Sequence, residues 1–161
     1  MEKGVRGMDV QGKAGGEHAA TLSQADELIL HIRGSKTDQY NRGEWRNHFG
    51  RKADDGNERL CVVEALAAYE RHNPQRFRGE QAHWPLFVWA SGRALLRSQV
   101  QQVFESAGVA MGVPPGELGS HSLRIGGASA LWAAFRVSAL VERWGRWSSD
   151  AFHADLWEIL A

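Results

Sequence analysis

Cysteine is nearly absent from this chain: among 161 residues only Cys61 occurs. A single thiol excludes a disulfide framework and a cysteine-based metal site, and it suits a reducing compartment. Long hydrophobic runs are missing as well. No stretch approaches the roughly 18 apolar residues of a membrane span, and the first residues lack the apolar core of a secretory signal. The chain also lacks net charge, with 19 lysines and arginines against 19 aspartates and glutamates. Nucleic-acid binders draw much of their affinity from phosphate contacts, so this balance excludes a strongly positive molecule. Tyrosine is scarce too: Tyr40 and Tyr69 are the two present.

What remains is the composition of an ordinary globular protein, 43% hydrophobic and 24% charged. The length suffices for one domain with its own core. Seven tryptophans are present, most of them between Trp84 and Trp157. Charge is unevenly spread. The stretch from His31 to Arg59 holds seven basic residues against five acids, whereas the first 30 residues hold three against five. A modest basic hairpin is thereby expected.

Residues 1–20 are rich in glycine and show no apolar periodicity, which predicts a flexible leader. Leu28 to Arg33 reads as a buried strand. Gly34-Ser35 and Asn41-Arg42-Gly43 are turn signals on either side of Lys36–Tyr40, and Glu44–Phe49 follows, so a hairpin or three-strand meander is expected. Apolar spacing predicts a helix from Leu60 to Tyr69, stopped by Asn73-Pro74. Pro85–Trp89 is a short strand-like run. A helix is expected over Ser98–Met111, broken at Pro114-Pro115-Gly116, followed by three more near 121–135, 138–145 and 149–160. Ser148 or Ser149 caps the last. The fold class is α+β: one helix-dominated domain, 26–161, with a small antiparallel hairpin or sheet near its N-terminus.

The densest chemical signal is Gly119-Ser120-His121-Ser122-Leu123-Arg124-Ile125-Gly126-Gly127, followed by Gly145-Arg146-Trp147. His121 and Arg124, at i and i+3 on a predicted helix start, share a face. An imidazole and a guanidinium fork placed there suit a phosphate, aided by backbone NH groups of the first helical turn. His-x-x-Arg alone is also the pattern of a solvated helix face; its combination with Gly-Arg-Trp and with Ser35-Lys36-Thr37 gives it weight. His31, His48, His72 and His83 show no metal-ligand spacing.

On these motifs the chain resembles the catalytic domain of the tyrosine recombinases, the phage-integrase-like family, in the form found in eukaryotic mobile elements. The resemblance runs from about Asp26 to Leu160. It implies an enzyme fold that breaks one DNA strand through a 3′-phosphotyrosyl intermediate and rejoins it to another. Arg124 would bind nonbridging phosphate oxygens as charge grows in the transition state. His121 would donate to the same phosphate or assist proton transfer. Lys36, on a hairpin tip, would protonate the departing 5′-oxygen, and the indole NH of Trp147, a donor only, would hydrogen-bond the phosphate. Arg33, Arg42, Arg46, Ser122 and Arg146 are candidate DNA contacts. The implied partners are double-stranded DNA and other recombinase subunits, with no cofactor, metal or membrane; the implied location is intracellular, and nuclear in a eukaryote.

Two departures from the family pattern stand out. Asp155 occupies the position of the nucleophilic tyrosine, and neither Tyr40 nor Tyr69 has the context to replace it. Aspartate is shorter by a ring and is anionic beside a phosphodiester, so strand cleavage is not expected. The family's first catalytic arginine lies upstream of the lysine hairpin in a helical segment that has no counterpart here, since Arg6 sits in the glycine-rich stretch. The expectation is a domain truncated at its N-terminus and catalytically defective. A non-catalytic DNA-binding module and an inert mobile-element remnant are the alternatives.

Overall fold

A computed structural model describes residues 4–34, 40, 43–50, 61–147 and 149–156, and of residues 151, 154 and 155 the backbone alone. The chain forms two compact units, residues 1–94 and 95–161. The fold class is α+β, with four α-helices and one antiparallel sheet among the described residues.

The first unit is built on that sheet, whose strands are β1 (Val10–Ala14), β2 (Glu17–His18), β3 (Glu27–Ile32) and β4 (Glu44–Phe49) in the order β2-β1-β3-β4. Gly15 and Gly16, at φ 58° and 91°, form the two-residue turn that joins β1 to β2. Both positions need positive φ, which glycine adopts without a Cβ clash. The glycine-rich N-terminal stretch is therefore folded where a flexible leader was expected. Val10 pairs with Leu30 and Gly12 with Leu28, so backbone ladder bonds to β3 order this segment with little apolar periodicity of its own. Gly12 is also packed closely: a Cβ there would lie 3.0 Å from that of Ala25 and 3.1 Å from Leu22.

Strand β4 lies on the far side of β3, with Leu28 opposite His48 and Ile32 opposite Glu44. These two strands match the expected ones, while the expected Lys36 hairpin lies outside the described residues. Helix α1 (Val62–His72) ends at Asn73-Pro74 as its sequence predicts. It supplies Val63, Ala67, Leu66 and Tyr69 to a core completed by Val10, Leu22, Leu28, Cys61 and Leu86. The run Pro85–Trp89 makes isolated bridges (Arg6 with Pro85, Val88 with Ala94) and no named strand. Leu86 is nonetheless pinned, because its carbonyl accepts from the Tyr69 hydroxyl at 2.8 Å.

The described residues of the second unit hold the α-helices α2 (Arg97–Ala110), α3 (Ser120–Phe135) and α4 (Ser138–Gly145). Gly108 lets Leu118 lie directly against α2, since a Cβ would come within 2.9 Å of it. Ala128, Val141 and Phe152 are the buried centre, with Leu131, Trp132, Trp147 and Leu156 packed around them. The expected last helix is, over its described part, a stretch of 3-10 turns from Asp150 to Asp155. Phe152, fully buried between Trp132 and Trp147, fixes the path of the chain there, and tertiary packing overrides helix propensity.

Candidate functional site

Helix α3 opens with the residues singled out above. The Gly119 NH donates to the Ser122 hydroxyl at 3.0 Å, and the Ser120 NH donates to the Gln101 side chain at 2.8 Å. Ser122, a candidate DNA contact, thus serves as a helix cap. Two NH groups expected to be open to a phosphate at this helix start are already engaged. His121 and Arg124 follow on the exposed side of the helix. Among the described residues neither has a carboxylate partner, so the donors of Arg124 are not committed to an ion pair within the second unit.

Arg124 is instead held by an aromatic ring. Its guanidinium carbon lies 4.1 Å from the centroid of Trp147. A cation over an indole face at this range contributes about 0.5–1 kcal/mol where the pair is exposed. It also orients the planar fork while leaving its NH edge available.

The Gly-Arg-Trp sequence has a local cause in the structure. Helix α4 ends with Arg146 in the left-handed conformation, φ 59°, and the Trp147 NH reaches back to the Glu142 carbonyl at 3.0 Å. This closure folds the indole onto the helix end. A Cβ on Gly145 would lie 1.5 Å from Cζ3 of Trp147, so only glycine fits beneath the ring. Phe152 supports the indole from within the core, with ring centroids 6.0 Å apart. Trp147 is thus half-buried, a core residue and the seat of Arg124 at once.

Beside this pair lies a cleft of about 380 Å³, lined by Leu123, Arg124, Gly127, Leu131, Trp144 and Trp147 among others. Trp144 is 46% exposed. Among the residues that line the cleft, Leu123 and Leu131 on α3 are apolar, which is a trace of it in the sequence.

Next to the site, Glu142 on α4 shares a hydrogen bond with Asp150. That bond, with lesser contributions from burial and the Asp150 charge, holds the Glu142 carboxyl above its ordinary pKa, against an opposing pull from His153. The backbone of Asp155 closes the 3-10 stretch that Asp150 begins, and its side chain lies outside the description.

The remaining candidates have other surroundings. Lys36 and Arg42 lie outside the described residues. Arg33 Nε donates to both carboxylate oxygens of buried Asp9, at 2.7 and 2.9 Å, and Asp9 also accepts from the Arg6 NH at 2.8 Å. Arg33 is thereby a structural ion-pair member of the first unit. Arg46 pairs with Glu44 on its own strand, and Arg146 is the half-buried left-handed residue described above.

No protein-family model matches the chain, and no curated protein sequence matches it. A solved structure does: XerH site-specific recombinase bound to palindromic difH substrate, in a post-cleavage complex. The two superpose with a TM-score of 0.53 at 18% identity, over 81% of this chain. The fold is tyrosine-recombinase-like. This chain spans 32% of the length of that protein, and the likeness is one of fold. Among the described residues no helix is long and apolar enough to cross a membrane.

Proposed function

We propose that this chain is a DNA-binding domain of tyrosine-recombinase type that grips a backbone phosphate without cleaving the strand. The observation that carries the reading is the Arg124 guanidinium, seated at 4.1 Å on Trp147 and without an acid partner among the described residues. Such a fork donates two parallel hydrogen bonds to nonbridging oxygens, which a point-charge ammonium cannot do. His121, one turn earlier on α3, adds a second donor to the same phosphate when protonated and a single NH donor when neutral. The indole of Trp147 acts by holding Arg124. In this reading Lys36 contributes a further cation from the hairpin, and duplex DNA is the partner.

Chemistry stops at binding, because a phosphotyrosyl intermediate needs a phenolic oxygen in line with the phosphorus. Asp155 supplies a shorter, anionic group at that sequence position. The origin in a mobile element and an assembly with other recombinase subunits belong to the same proposal, supported by the His-Ser-Leu-Arg and Gly-Arg-Trp motifs. The test is fluorescence anisotropy on a labelled duplex as a function of salt. Salt-dependent binding that Arg124→Ala weakens about tenfold or more is expected; absence of binding at 20–50 mM salt, roughly the low end at which phosphate contacts are strongest, overturns the reading.

A further inference from the structure

The cleft beside Arg124 has a composition that a phosphate grip alone does not require. Its lining is aliphatic and aromatic, with Arg124 its one charged member among the described residues. An occupant complementary to it has a flat or apolar body and a negative charge at one end. About 380 Å³ accommodates a bicyclic ring system with its substituents. Gly127 leaves open space beside α3, since a Cβ there would meet nothing within 4 Å. Leu123 and Trp144 are 61% and 46% exposed, so the cleft opens to solvent.

We infer that this cleft receives an unpaired nucleobase whose own phosphate lies on Arg124. The inference rests on the DNA-binding reading and names what that site selects. Bases inside a duplex present no free face, so only an extrahelical or single-stranded nucleotide can enter. Contact with the exposed indole of Trp144 and with Leu123 and Leu131 then favours DNA that carries such a base, whatever the surrounding sequence.

The test compares two labelled duplexes, one fully paired and one with a single bulged adenine, together with a titration of deoxyadenosine 5′-monophosphate followed by tryptophan fluorescence. The wild-type chain is expected to bind the bulged duplex about tenfold more tightly than the paired one, and the mononucleotide is expected to quench its fluorescence. Gly127→Leu fills the cleft at a helical position with room for a side chain. It should remove both effects and leave paired-duplex binding unchanged. Leu123→Glu, a surface change that places an anion at the mouth, should do the same to mononucleotide quenching. Equal affinity for the two duplexes overturns the base site while leaving the phosphate grip intact. Binding to neither duplex defeats the DNA reading; mononucleotide quenching that Gly127→Leu abolishes would still support the cleft, and its absence would sink it. Concentration-dependent dimerisation abolished by Gly127→Leu would assign the cleft to a second copy and overturn the proposal.

Discussion

At the scale of single residues, the site depends on an atom that is missing. Gly145 has no Cβ, and the Trp147 ring occupies the space where one would stand, 1.5 Å from Cζ3. Gly145→Ala is therefore expected to expel the indole from the helix end and destabilise the second unit by about 1–3 kcal/mol. Near-UV circular dichroism would report the lost indole environment and denaturant unfolding the energy. DNA affinity should fall in the same variant, although Gly145 touches no phosphate in the proposed complex, because Arg124 loses its seat. Arg124→Lys separates charge from geometry. It keeps the cation but loses the fork and much of the stacking, and about a tenfold loss of duplex affinity by anisotropy is expected. Retention of full affinity would mean that charge alone matters. Phe152 is fully buried against Trp132 and Trp147, so Phe152→Ala should cost about 3–5 kcal/mol in the same unfolding measurement.

At the scale of elements, two titrating groups set opposite pH responses in the two units. His48 on β4 has its pKa lowered from 6.5, first by burial and then by the charge of Arg46. The unfolded chain then binds more protons than the folded one between the lowered value and 6.5. Stability of the first unit is complete above pH 6.5 and is lost as pH falls through that window. Glu142 on α4 behaves in the reverse sense, because the hydrogen bond to Asp150 raises its pKa from 4.5. Here the folded state holds the extra proton, so the contribution is complete below pH 4.5 and is lost as pH rises through the raised value. Its consequence is local to the link between α4 and the Asp150–Asp155 turns. Thermal unfolding from pH 4 to 8 should show the fall attributed to His48 flatten in His48→Gln. The Glu142 contribution should become pH-independent in Glu142→Gln, which keeps a neutral donor toward Asp150. An unchanged pH profile in either variant would remove that group from the account. The elements also show where local pattern suffices: Asn73-Pro74 stops α1 through backbone chemistry within a few residues.

At the scale of the whole molecule, net neutrality bounds what binding can be. With 19 cationic and 19 acidic side chains, affinity for DNA must come from a few placed contacts and not from a general positive field. A shallow salt slope is expected, reduced by about one unit per phosphate contact removed, as in Arg124→Ala. A suicide DNA substrate that traps covalent adducts should trap none with this chain. On the same reading Asp155→Tyr alone should not restore cleavage, since among the described residues Arg33, upstream of the hairpin, is committed to Asp9. An adduct in either case would contradict the reading of the site as a grip.

The sequence by itself determined the α+β class, the central strand β3 and the places of α1 to α4, and it marked His121, Arg124 and Trp147 as a motif. These are recorded in short-range patterns: alternation, helical spacing, turn glycines and a stop at proline. It misread the first 20 residues as a flexible leader because β1 is held by ladder bonds to β3, and backbone bonds leave little trace in side-chain pattern. It offered Arg33 to DNA, whereas Asp9, 24 residues away, claims it. Tertiary structure alone decided that Trp147 carries Arg124, that Gly145 must be bare beneath the indole, and that a cleft opens between residues of α3 and the end of α4. Each of these depends on groups distant in the chain meeting at van der Waals or hydrogen-bond range. Local periodicity cannot encode such approach, and the packed core around Phe152 supplies it.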